Sequence, residues 1–247
     1  MKVVIFMLFG VVCTLCGCMA PLDKIPDQPG VVPEDSPESV VLWAPCDTAQ
    51  ADAWRLAAAT DAVAALHGAA CYAYLIERAG GGSTDAAAGR QLAEQAAGAF
   101  PRSAEAHYLF GYLAGLEAQF SPLRALSLVP VIEREALAAL ALNPALDEAG
   151  PARMLGDLYL RAPEFPVSVG DPALAVEYFA QAVELVPQRA DNRAGLIAAL
   201  LEDEQVTGAC LQLREYWQDR MPADDPSGEW QRGLELQQQL CDSLPGD

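Results

Sequence analysis

The stretch Asp171-Pro172-Ala173-Leu174-Ala175-Val176-Glu177-Tyr178-Phe179-Ala180-Gln181-Ala182-Val183-Glu184-Leu185-Val186-Pro187 decides how this chain is read. It spells a helix with both ends marked. Asp171 is a good N-cap, because its carboxylate can accept the first free backbone N–H groups. Pro172 falls at N1, where its missing N–H costs nothing and its fixed φ suits the first turn. Ala175, Phe179, Ala182 and Val186 recur at i, i+4, i+7 and i+11 and line one apolar face, while Glu177, Gln181 and Glu184 lie on another. Pro187 stops the run.

Working outward, the same helical period holds from residue 49 onward, with Gly, Pro and Asp as punctuation. It predicts helices over 50–66, 69–79, 85–99, 103–119, 123–142, 150–161, 172–186, 190–201, 204–219 and 228–242. Gly80-Gly81-Gly82 ends one helix and Asp85 lies close to the next start. Pro130 is expected to kink or divide the fifth helix. Asp147 and Glu148 precede a helix beginning near Gly150, where acidic groups favour the positive end of the dipole. Apolar residues make up 52% of the chain, enough for a packed core, and many are alanines in clusters such as Ala57-Ala58-Ala59 and Ala86-Ala87-Ala88. Alanine is the best helix former and lets helices approach closely, so the fold class is all-α.

The stretch resembles the second helix of the tetratricopeptide repeat, a unit of about 34 residues. Ala175, Phe179, Ala182 and Pro187 match its spacing of small residue, aromatic, small residue and proline, and Gly156 and Tyr159 match the pair in its first helix. The interval from Gly156 to Ala175 is about seven residues longer than the repeat uses. Weaker copies pair Ala96 with Pro101 and Ala139 with Pro144, place His107 and Gly111 after Pro101, and put Leu196 after Pro187. The resemblance covers residues 84–217. It implies antiparallel helix pairs stacked as a divergent, right-handed solenoid over 49–247, acting as a protein-binding scaffold. The stretch from Gly150-Pro151 to Val186, with its long turn 161–171, also resembles repeats of the lipoprotein T-component of TRAP transporters. That resemblance implies a periplasmic solute-binding protein as partner and a small apolar ligand.

Residues 1–17 carry Lys2 and then an apolar run from Val3 to Cys16, too short for a comfortable membrane span and of signal-peptide length. Leu15-Cys16-Gly17-Cys18 resembles the bacterial lipobox, with Cys16 a departure from its usual alanine or serine. The resemblance implies a lipid on Cys18 and, with Met19 following, an outer-membrane lipoprotein facing the periplasm, its membrane contact made through that anchor. Residues 18–48 read as a proline-rich tether, punctuated by Pro21, Pro26, Pro29, Pro33, Pro37 and Pro45. Cys46, Cys71, Cys210 and Cys241 remain for disulfides in an oxidising compartment. Joining sequence neighbours, Cys46–Cys71 and Cys210–Cys241, is the favoured one of three pairings. Zinc is disfavoured, since no CxxC spacing exists among these four and His67 and His107 stand isolated.

The net charge of −19, from 15 Lys+Arg against 34 Asp+Glu, repels phosphate backbones and argues against a nucleic-acid partner. No phosphate-loop, zinc-protease, nucleophile-elbow or dinucleotide fingerprint is present. The expectation is therefore no enzyme, no cofactor and no metal. Glu202-Asp203-Glu204 reads as a solvated turn, and Trp43, Trp54, Trp217 and Trp230 as seals at the ends of the stack. The turn 161–171 is the candidate contact loop, through Arg161, Pro163, Phe165, Pro166 and Asp171, because it is long, holds two prolines and sets Phe165 among apolar residues.

Overall fold

A computed structural model of the chain describes residues 40–218 together with 235, 237–239 and 241. Cys18 and the rest of 1–39 lie outside the described residues, as does most of the helix expected over 228–242. Among the described residues there are helices and turns but no strand, only an isolated bridge between Glu164 and Gly170. The order is α1 (Thr48–Ala57), α2 (Ala62–Ala79), α3 (Ser83–Ala99), α4 (Ala104–Phe120), α5 (Pro122–Leu142), α6 (Leu146–Arg161), α7 (Pro172–Leu185), α8 (Ala190–Glu202) and α9 (Val206–Gln218). The fold class is all-α, as the periodicity requires.

Local signals place most of these ends. Asp47 and Gln50 exchange side-chain bonds with each other's backbone N–H at the head of α1, at 2.8 and 3.0 Å. Ser103 accepts from the Ala106 N–H at the start of α4, and Asp171 from the Leu174 N–H at the start of α7. Gly80 closes α2 in the left-handed conformation at φ 75°, which lets Gly81 N–H reach the Leu75 carbonyl.

One expectation fails and another is narrowed. The first break falls between Ala57 and Ala62, not after residue 66, because the Asp61 carboxylate caps α2 by accepting from the Val63 N–H at 2.8 Å. His67 and Gly68 are thus interior. Gly68 is where helices approach, since a Cβ there would meet Leu92 Cδ1 at 2.7 Å and Trp54 Cβ at 3.2 Å. Pro130 does not divide α5, which runs through it unbroken. The carbonyl left without its usual donor is that of Leu126, a residue exposed to water. Right-handed helix in α6 does begin at Gly150, because Asp147, Glu148 and Ala149 form a left-handed turn with φ of 48°, 54° and 67°.

Consecutive helices pack on one another in chain order, and α2 also touches α4, α4 touches α6, and α6 touches α8. One core cluster, containing Leu66, Leu92, Leu109 and Leu113, joins α2, α3 and α4. Another, containing Leu155, Phe179, Leu196 and Leu200, joins α6, α7 and α8. Phe179 is the wedge of the second cluster: Cβ atoms added at Gly156 and Gly195 would lie 2.7 and 2.0 Å from its ring, so α6 and α8 close on it through bare backbone. Glu117, buried on α4, is held by Arg90 of α3 and Arg124 of α5. The disulfides join Cys46 to Cys71 and Cys210 to Cys241, with Cα–Cα distances of 5.5 and 5.7 Å. That is the sequence-local pairing.

Candidate functional site

The same contacts that put α2, α4 and α6 side by side leave a cavity of about 760 Å³ between them and α5. Its floor is apolar, from Leu116 of α4, Leu126, Val129 and Ile132 of α5, and Met154 and Leu158 of α6. Gly115 opens onto it, and a Cβ there would meet nothing within 4 Å. Trp43, Tyr108 and Tyr112 form an aromatic wall: Trp43 stands edge-on to Tyr112 at 5.3 Å, and Tyr112 lies 5.8 Å from Tyr108.

A polar hub supports that wall. The Asp147 carboxylate accepts from Trp43 Nε1 at 2.7 Å, Tyr108 Oη at 2.5 Å and Arg153 Nη2 at 3.0 Å. Arg153 also donates to the Asp147 and Glu148 carbonyls and to Asn192 Oδ1, all within 3.1 Å. The left-handed turn is therefore clasped by the helix that follows it. Asn192, fully buried on α8, donates to the carbonyls of Glu148 and Ala182 and so ties α6, α7 and α8 together. Burial pushes the Tyr108 hydroxyl far above its ordinary pKa, with the Asp147 charge adding to it. Tyr112 is raised by burial and by its bond to Glu77. Both phenols stay protonated donors. Burial also raises the Asp157 carboxyl, against the pull of Arg161.

The sequence candidates divide between places. Arg161 and Pro163 line the mouth of the cavity, with Arg161 paired to Asp157 at 2.9 Å. Phe165 and Asp171 face a separate hollow beside Glu202, Asp203 and Glu204. Phe165 is 88% exposed, so it does not pack over a neighbouring helix; its bond to Pro166 is cis. Gly111 lines the cavity against Met154, whereas Gly156, Ala175, Phe179 and Ala182 are buried packing positions. Tyr159 stacks on Tyr178 and donates to Glu133 at 2.6 Å, while Pro187 follows the end of α7. His107, expected to be isolated, bonds Glu135 at 2.5 Å and the Pro101 carbonyl at 3.2 Å. Trp54 stacks on His67, but Trp43 is a cavity residue and not an end seal.

Sequence reasoning missed Trp43, Tyr112, Asp147, Arg153 and Asn192. The available signal was a pair of polar residues, Arg153 and Asn192, on the core sides of their helices. Among the described residues no cluster of His, Cys, Asp or Glu could hold a metal, and no helix is long and apolar enough to cross a membrane. No protein-family model matches the chain, and no curated protein does.

Proposed function

We propose that this is a lipid-anchored binding protein of the bacterial cell envelope. Cys18 carries the lipid, the segment 18–48 tethers the domain, and 49–247 is a divergent tetratricopeptide-like, right-handed solenoid that seats a partner on its inner surface. The observation that carries this reading is the cavity bounded by α2, α4 and α6. Its volume of about 760 Å³ lies within the few hundred to about 1,000 Å³ of small-molecule sites. Its carboxylates support binding over catalysis, because each is already engaged: Asp147 by three donors, Asp157 by Arg161, Asp191 by Arg189 and Glu77 by Tyr112.

Two forms of the reading differ in the occupant. As a scaffold, the protein takes a segment of another envelope protein, with the exposed Phe165 and Val167 loop adding contact area; their 88% and 64% exposure favours this form. As a T-component-like accessory, it works with a periplasmic solute-binding protein and holds a small apolar ligand, which the apolar floor favours.

A photoreactive residue at Leu126, on the cavity floor, tests both in intact cells against one at Leu56, which is exposed and outside the cavity. Adducts formed only from position 126 support the reading, and their identity, solute-binding protein or envelope-assembly protein, selects its form. Equal adducts from both positions overturn the cavity as the seat. Cys18→Ser should release the protein from membranes, and unchanged membrane fractionation would refute the anchor.

A further inference from the structure

We propose that residues 40–46 form a strap that gates the cavity, with Trp43 as its catch and the Cys46–Cys71 disulfide as its fixed end. The proposal rests on the cavity being the binding seat. The strap runs between two anchor points. At one, Cys46 is bonded to Cys71, buried on α2. At the other, the Trp43 indole donates across 104 residues to the Asp147 carboxylate at the head of α6. Val40 is buried as well, while Val41 between them is 71% exposed, so the segment is pinned at points and not embedded along its length.

Both sides of the catch are held against local preference. Trp43 has φ 64°, a left-handed conformation that bulky side chains rarely adopt. Asp147 lies in a left-handed turn of three non-glycine residues. Such conformations persist where the surroundings over-determine them. Here the surroundings are the Nε1 bond of 2.7 Å, the edge-on contact with Tyr112 and the Arg153 clasp. Losing the indole bond frees the Trp43 side to relax and removes one of the three donors that hold Asp147, which gives the strap a second arrangement. Because Trp43 is itself cavity wall, that second arrangement opens the site beside Tyr112 and Glu77. Occupancy and strap state are then reciprocally linked: a ligand that displaces Trp43 loosens the strap, and a held strap retains what lies beneath it.

The test uses the full chain and the neutral fluorescent probe N-phenyl-1-naphthylamine. Trp43→Ala is expected to speed probe release at least tenfold in stopped flow. Reduction of a Cys210→Ser/Cys241→Ser variant, in which only the strap disulfide remains, is expected to act in the same direction. Hydrogen exchange over residues 146–153 should rise with Trp43→Ala even without probe. Gly115→Leu, which fills open space, should abolish probe binding. If Gly115→Leu blocks the probe but Trp43→Ala changes neither release nor exchange, the strap is overturned and the cavity stands. If the probe does not bind, or binds Gly115→Leu unchanged, the cavity reading fails, and unchanged exchange at 146–153 would then remove the strap too.

Discussion

The α6–α8 region and the α2–α4 region use the same packing device, yet only one of them advertises it. In α6–α8 a single aromatic, Phe179, is gripped by the backbones of Gly156 and Gly195. In α2–α4 the knobs are Leu92, resting on Gly68, and Leu113 with Tyr72, resting on Gly89, surrounded by fully buried alanines such as Ala69, Ala93 and Ala106. The geometry of a side chain seated on bare helix backbone recurs. The spelling does not. A repeat signature keyed to an aromatic therefore detects α6–α8 and passes over α2–α4, although both are closely packed.

The comparison breaks most sharply at the wedge. Phe179→Ala should cost about 3–5 kcal/mol in denaturant unfolding, because the rigid backbones on either side cannot collapse into the space left. Leu113→Ala should cost about 2–4 kcal/mol, because flexible neighbours share the vacancy. A Leu113→Ala loss clearly exceeding that of Phe179→Ala would mean that the leucine-built region is the stiffer one. Asn192→Ala comes next, at about 1–3 kcal/mol, for buried carbonyls of Ala182 and Glu148 lose their donor. In α2–α4 the helices are tied instead by Arg90 with Glu117 and by Tyr112 with Glu77, which Asn192 does not touch, so the effect should register as faster hydrogen exchange confined to α6–α8.

The junction between the regions is expected to respond to pH. His107 of α4 has its pKa raised, first by its bond to Glu135 of α5 and against its own burial, above the ordinary 6.5. Both ring nitrogens face oxygen acceptors, which suits the doubly protonated ring. Its contribution is fully present below pH 6.5 and is lost as pH climbs through the raised folded value. Glu135 is destabilised as an anion by burial, but the bonds from His107 and Arg134 outweigh this and lower its pKa. Its contribution is lost as pH falls through that lowered value. His107→Gln should therefore flatten the alkaline side of the stability profile, and a profile identical to that of the unmodified chain would show the pair to be inert. The smallest effect belongs to Phe165→Ala, expected within about 0.5 kcal/mol because the ring is exposed.

The helices were legible wherever a cap and an apolar face agreed, as at Asp171, Ser103 and Gly80. The α1–α2 break was not, because Gly68 has the composition of a terminator and the role of a packing surface. Cavity legibility failed for a different reason. Trp43 and Asp147 lie 104 residues apart and meet only after five helices have folded back between them. The left-handed turn at Asp147-Glu148-Ala149 carries no glycine or asparagine to mark it, and its acids look like an ordinary helix start. Arg161 and Pro163 were singled out because a long loop is visible in sequence; what the loop borders was not.

That loop has one further property. Its base is sealed by backbone bonds, Asp171 N–H to the Tyr159 carbonyl and Gly170 N–H to the Pro163 carbonyl, both at 2.9 Å. The exposed residues 164–167 lie outside that seal, whereas Val169 packs against the core. Those four positions are expected to behave as a cassette: an epitope, a metal-chelating peptide or a reporter strand could replace them while α6 and α7 keep their alignment. An engineer seeking somewhere to display a sequence on this protein would begin there.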